Sequence, residues 1–254
     1  MRLPAPPSNF DLQGIQLVAT DVDGTLTRGG QMTPQLLHDL TRLQRADIDV
    51  ILATGRSAGW VSAFAHYFPV AGAIAENGGV FCPKSGAYRL FDGAIAANLA
   101  AHREGLSHMF VALKAEVPRL QESADNAFRL TDWTFDVADL TAAELRALGD
   151  RCQDDGWGFT YSTVQCHLSN LNQTKAIALD STLRGAYPQL SRSAVLTIGD
   201  SPNDESLFDG ARFPYSVGVA NIAHYWARLG HHPKFVTEAA EGDGFHEVVN
   251  AILG

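Results

Sequence analysis

The chain reads as an α/β protein, a Rossmann-like parallel-sheet core carrying an inserted α+β module. Three observations predict this. Short apolar runs, "IQLVAT", "IDVILA", "VAGAIA" and "AVLTIG", each stop at a polar residue and alternate with helical patterns. Continuous apolar runs of this kind belong to strands covered on both faces, as in parallel sheets. The polar residues that end the runs (Asp21, Thr54, Glu76 with Asn77, and Asp200) fall where open parallel sheets bind ligands, at strand carboxyl ends. Between Pro83 and Ser169 the pattern changes: "AYRLFDG", "NAFRLTDWTFDVA" and "GWGFTYSTVQCHLS" alternate and are rich in aromatics, as antiparallel strands are.

The expected division follows: 1–82 as the first part of the core, 83–169 as the insert, and 170–254 as the second part of the core. The first 14 residues have prolines where a signal peptide needs an apolar stretch, so a loose arm is expected there. The first strand runs into Asp21. A helix opens at Thr33-Pro34, a cap followed by proline in the first turn, and another at Ser57 with "SAGWVSAFAHYF". Within the insert, "AIAANLAAHREGL" and "TAAELRALGDRCQDD" look helical. After it, a helix through "TKAIALDSTLRG" ends at Gly185 and precedes the strand that reaches Asp200.

With 254 residues, 46% hydrophobic and 19% charged, the chain can bury a large core and a smaller one. A formal net charge of −9 argues against a general binder of nucleic acid or anionic membrane. No apolar run approaches the length needed to span a bilayer. Cys82, Cys152 and Cys166 lack CxxC spacing and are expected to be reduced thiols of a cytoplasmic protein.

The first rim cluster is "DVDGTLT". In an extended segment residues two apart point to the same side, so Asp21 and Asp23 can face one reacting atom. Gly24 permits the tight turn that follows. Turn formation alone is the plain alternative. Three further clusters share the rim: Thr54-Gly55-Arg56, Lys175, and "GDSPND" with Asp200, Asn203 and Asp204.

Taken together and in this order, these four clusters resemble the haloacid dehalogenase superfamily of phosphohydrolases. "DVDGTLT", the Thr of "LATGRS", the Lys of "NQTKAIAL" and "GDSPNDESLF" match its four motifs, over the core on both sides of the insert. The insert resembles the large α+β cap of sugar-phosphate phosphatases, including those for sucrose, trehalose and mannosylglycerate phosphates. The resemblance implies that Asp21 is the nucleophile, forming an aspartyl-phosphate, and that Asp23 protonates the leaving alcohol and then activates water. Thr54 would bind a phosphoryl oxygen, and Lys175 would neutralise the nucleophile and the transferring group. The "TKA" context of that lysine departs from the more usual Lys-Gly.

Asp200 and Asp204 brought to the same rim would crowd carboxylates together. Two like charges ~4 Å apart repel by about 4 kcal/mol at an effective dielectric of 20. A cation is therefore expected, and an all-oxygen ligand set beside phosphate favours Mg2+. The resemblance makes its ligands the carboxylates of Asp21 and Asp200 and the backbone carbonyl of Asp23, with Asp204 in support. Gly55, Arg56, Asn77 and Asn203 are candidate substrate-binding residues. For Arg56 bracing of its loop is an equal alternative, for Asn77 a plain turn, and for Asn203 a helix cap.

Arg129, Lys114 and His167 could reach a substrate, but packed or solvated roles are expected for each. His231-His232 has no partner at metal spacing and is expected at the surface. The expected activity is Mg2+-dependent hydrolysis of a small, sugar-like phosphate. The alternatives are a phosphomutase of the phosphomannomutase type and a regulatory module that keeps the fold without turnover.

Overall fold

The computed structural model describes residues 4–6, 12 and 14–254. Among them the main sheet has eight strands: β1 (Leu17–Thr20), β2 (Asp49–Ala53), β3 (Gly72–Ala75), β4 (Val80–Pro83), β5 (Arg89–Leu90), β9 (Val195–Gly199), β10 (Tyr215–Gly218) and β11 (Phe235–Val236). A second sheet has three: β6 (Trp133–Asp136), β7 (Trp157–Tyr161) and β8 (Gln165–Asn170). The spatial order of the main sheet is β11-β10-β9-β1-β2-β3-β4-β5, parallel from β11 to β3 and antiparallel for the last two pairings.

The α/β class read from the apolar runs is the class observed. β1 lies at the centre, with Leu17 paired to Asp49 on one side and Val195 on the other. Its side chains alternate between the two faces. Val18 joins the layer built by α1 (Pro34–Arg45), α2 (Ala58–Tyr67) and α7 (Glu241–Leu253), through Leu40, Val61 and Phe245 among others. Leu17 and Ala19 join the opposite layer, under α6 (Lys175–Ala186), with Leu179, Leu183 and Phe213. A strand covered on both faces has no polar face to show, which is why "LVA" is apolar throughout.

The helix starts follow local chemistry. Thr33 Oγ1 accepts the Leu36 N–H at 3.2 Å ahead of Pro34, and Thr174 Oγ1 accepts the Ile177 N–H at 3.2 Å at the start of α6. Ser57 occupies the cap position of α2 but makes no capping bond with its side chain. The Ala58 N–H there goes to the Glu76 carboxylate instead, at 2.9 Å.

The insert packs α4 (Leu99–Glu116) and α5 (Ala142–Asp154) on the three-stranded sheet, after a short α3 (Gly93–Ala97). Leu106, Phe110, Leu148, Phe135 and Leu168 form a separate apolar core there. One expected strand falls elsewhere. Arg89–Leu90, within "AYRLFDG", pairs antiparallel with β4 on the edge of the main sheet. The core therefore runs past residue 83 to Leu90. Alternation reveals a strand but not which sheet it joins.

The expected loose arm lies mostly outside the described residues. Of those described, Leu12 is buried in the main core, and the Ala5 carbonyl accepts the Val236 N–H at 3.4 Å. The three cysteines are buried and unpaired. No helix among the described residues is long and apolar enough to cross a membrane.

Candidate active site

The strand ends of the main sheet bring three motifs to one point. β1 delivers Asp21, whose N–H bonds the Ile198 carbonyl at 2.9 Å and so locks its strand against β9. β9 delivers Asp200, and the 3-10 stretch Pro202–Phe208 beyond it carries Asp204. α6 delivers Lys175 from its first position.

Lys175 is fully buried, and its Nζ donates to Asp21 Oδ1 and Asp204 Oδ1, each at 2.6 Å. Burial acts against the charge on Lys175, but Asp204 and Asp21 outweigh it and hold its pKa above the ordinary lysine value. The other oxygen of Asp204 accepts the N–H groups of Asp200 at 2.9 Å and Ser201 at 3.2 Å. Asp204 thus organises its neighbours through both oxygens.

Asp21, Asp200 and Asp204 each present an oxygen, and all three oxygens lie within 4.8 Å of one another. Burial pushes the Asp21 carboxyl above its ordinary range; Lys175 opposes this, while Asp204 and Asp23 add to it. Burial likewise pushes Asp200 well above the carboxylate range, helped by Asp21 and Asp204. Carboxyls so crowded fit a small divalent cation, whose charge would relieve the repulsion that one lysine leaves.

Gly24 makes the close approach possible. Its φ is +82°, and a Cβ there would stand 2.5 Å from Asp200 Oδ2. Asn221 ties the two segments together: Nδ2 donates to Asp200 Oδ2 at 2.8 Å and to the Gly24 carbonyl at 3.0 Å. Sequence reading missed Asn221, although it stands just beyond the carboxyl end of β10, on the same rim as the recognised acids.

The second cluster closes the other side. Thr54 is buried at the end of β2, and its Oγ1 accepts the Arg56 N–H at 3.1 Å, which leaves the hydroxyl hydrogen available. Arg56 reaches Asp23 through both carboxylate oxygens. Asn203 Nδ2 donates to Asn77 Oδ1 at 3.1 Å, so these two candidates meet across the rim.

The insert sits directly on this rim. Ser162, Val164, Gln165 and His167 line one cavity with Asp21, Asp23, Thr54, Gly55, Arg56 and Asn203, and that cavity holds about 10 Å³. This is room for roughly one water. Arg129 is buried, and all its N–H groups are engaged, by the Gly55 carbonyl, Asp125, Asp132 and Gln165. Lys114 is exposed on α4, with Nζ 6.0 Å from the Phe110 ring centroid. Both are packed or solvated, as expected. His167 is packed too, at 1% exposure, and its ring lines the cavity. His231 and His232 are exposed.

Glu76 joins the two units. Its buried carboxylate accepts Ala58 N–H from the core, and Leu130 N–H at 3.1 Å, Thr131 N–H at 2.6 Å and Thr131 Oγ1–H at 2.8 Å from the insert. Burial raises its pKa, with Asp132 adding, against those hydrogen bonds.

Comparison with known proteins places this geometry. A family profile described as haloacid dehalogenase-like hydrolase matches residues 18–102. A phosphoglycolate phosphatase of Methanothrix thermoacetophila is 28% identical over 240 residues, covering 93% of this chain and 96% of the relative. Another, of Methanothermobacter thermautotrophicus, is 27% identical over 243 residues, covering 94% and 100%. Among solved structures, a Thermoplasma acidophilum protein superposes with a TM-score of 0.74 at 22% identity, over 94% of this chain and 98% of its own. The sucrose-phosphatase of Synechocystis does so with 0.71 at 18%, over the same shares. At those identities the structural likeness speaks for the fold.

A parallel core with acids gathered at its strand ends, in a chain whose full-length relatives are phosphatases, defines a phosphatase. The resemblance to haloacid dehalogenase phosphohydrolases read from the four motifs is borne out by the profile match and by these relatives.

Proposed function

We propose that the chain hydrolyses a small phosphomonoester in two steps through a phosphorylated Asp21. The observation that carries this is Lys175, buried between Asp21 and Asp204 with Asp200 alongside. The Asp21 carboxylate attacks phosphorus as the bond to the leaving oxygen breaks. Asp23 gives that oxygen its proton. Asp23 then takes a proton from a water that attacks the phosphorylated Asp21, freeing phosphate and restoring the carboxylate.

The Thr54 hydroxyl and Lys175 would bind phosphoryl oxygens, with Gly55, Asn77 and Asn203 on the same rim. The Asp21 and Asp200 carboxylates and the Asp23 carbonyl would hold Mg2+, with Asp204 in support. The ion would supply charge for the phosphoryl oxygens and fix them beside the nucleophile.

The insert, beginning after Leu90, acts as a cap. A cavity of about 10 Å³ under it admits a substrate only when the cap lifts, and favours a compact leaving group over a macromolecule. A sugar-like or polyol phosphate is the first reading. Phosphoglycolate is the second, favoured by the names of full-length relatives.

The test is phosphate release from a panel of sugar phosphates, glycerol phosphates, phosphoglycolate and nucleotides, with Mg2+ and with chelator. Release that needs Mg2+ and is greatest for compact esters is expected. Conversion of a hexose 1-phosphate to its 6-phosphate without free phosphate would instead indicate a mutase.

A further inference from the structure

The buried pair of Asp132 and His167 has no part in the chemistry above. His167 is 1% exposed, and its Nδ1 lies 2.9 Å from Asp132 Oδ2. Asp132 is fully buried and also takes Arg129 Nη1 at 3.0 and 2.9 Å. An ionised carboxylate only accepts, so the hydrogen of the 2.9 Å contact sits on Nδ1 of His167. Burial holds the ring to one proton, with Asp132 opposing and Arg129 and Lys175 assisting. Nε2 therefore carries a lone pair.

That lone pair has no hydrogen-bond partner among the described residues. Nε2 stands 3.0 Å from the point a Cβ on Gly55 would occupy, so the missing side chain is what admits the ring. Asn77 Nδ2, also without a partner, lies 3.1 Å from that same point. The unpaired buried donor of Asn77 costs about 1–3 kcal/mol, and the His167 ring lines the small cavity beside it. An anionic oxygen can satisfy Asn77 but not the lone pair of His167. A hydroxyl can satisfy both.

We propose that His167 is a substrate-recognition residue, whose Nε2 accepts a hydrogen bond from a hydroxyl on the leaving group. Asp132 is its positioning residue, setting the tautomer. The inference rests on the phosphatase reading and narrows it to hydroxyl-bearing esters.

The experiment compares kcat/KM of the full chain, with Mg2+, for glycerol 2-phosphate, 2-phosphoglycolate and acetyl phosphate. His167→Ala is expected to lower the value for glycerol 2-phosphate at least tenfold relative to acetyl phosphate. Asp132→Asn, which can donate to Nδ1 and so put the hydrogen on Nε2, is expected to shift preference at least tenfold toward 2-phosphoglycolate. Parallel loss on all three substrates in His167→Ala overturns the inference, as does an unchanged preference in a folded Asp132→Asn. Should Asp132→Asn fail to fold, the ratios in His167→Ala decide alone. A wild-type chain inactive on all three would overturn the phosphatase reading and this inference with it, whereas activity with parallel losses overturns this inference only.

Discussion

Arg56 donates to both carboxylate oxygens of Asp23, Nε to Oδ2 at 2.8 Å and Nη2 to Oδ1 at 2.6 Å. A planar guanidinium in this two-point contact aims the carboxylate, which a single-point donor cannot do. Of the two roles open to Arg56 in the sequence, the geometry favours bracing, but of Asp23, the proposed acid–base residue, as well as of the loop. Arg56→Ala is expected to lower kcat/KM by about 10²-fold, the low end of what a positioned proton donor contributes. Arg56→Lys should recover little. Rates near wild type in a folded Arg56→Ala would show that Asp23 keeps its aim unaided.

Asp21→Asn should abolish turnover and leave the circular dichroism spectrum unchanged. Lys175 would keep Asp204 as its ionic partner. Uncatalysed phosphate-monoester hydrolysis can lag by ~10²¹-fold, so water offers no bypass. Measurable steady-state phosphate release from a purified Asp21→Asn protein would reassign the nucleophile.

Lys175→Met should unfold more readily as well as losing activity. It would leave Asp21 and Asp204 buried with their shared countercharge gone. Breaking a buried pair from one side costs about 3–5 kcal/mol. Urea denaturation gives the number, and adding Asp204→Asn to Lys175→Met should return part of it. A double mutant no more stable than the single one would mean that charge is not what Lys175 balances.

Chelator should remove activity, and Mg2+ should restore it and raise Tm. Binding to the folded chain alone stabilises by about 2.7 kcal/mol at a hundred times Kd. Asp200→Asn should lose most of the Mg2+-dependent rise in Tm while still folding. The same thermal shift in Asp200→Asn and wild type would place the ion elsewhere.

Acid should weaken the cap in a way traceable to His167. Burial holds its pKa below the ordinary 6.5, against Asp132. The unfolded chain takes up that proton first, so the contribution to stability is full above 6.5 and is lost as pH falls through the folded value. Asp132 acts with the same sign at lower pH: burial tends to raise its pKa, but Arg129 and His167 hold it below 3.8. The Tm of wild type is expected to fall faster between about pH 7 and pH 5 than that of His167→Gln, which lacks the titration. Parallel curves would refute it.

The core and its acids were legible because they depend on short-range pattern. Leu17 to Thr20 is apolar since both faces of β1 are covered, and Asp21 ends it at the rim. Residues that meet only through tertiary placement left no such mark. Asp132 and His167 stand 35 positions apart and face each other because β6 and β8 are neighbours. For Arg129 the sequence left packed and solvated roles both open, because nothing local announces Asp125, Asp132, Gln165 and the Gly55 carbonyl converging on it. The strand at Arg89 was legible as a strand, but its sheet was set by the β3–β4 hairpin beside it.

Glu76 gives the molecule a fulcrum. Its carboxylate grips Ala58 on one side and Leu130 and Thr131 on the other, and Gln173 at the return of the chain donates to its carbonyl at 2.6 Å. At the opposite end the units touch through Arg228 Nη1 and Tyr161 Oη at 3.5 Å, an exposed and weak contact. The hold is therefore uneven: were the insert to lift, the tip from Tyr161 to Gln165, which lines the cavity over Asp21 and Asp23, would have the longer path and the arm beside Thr131 the shorter.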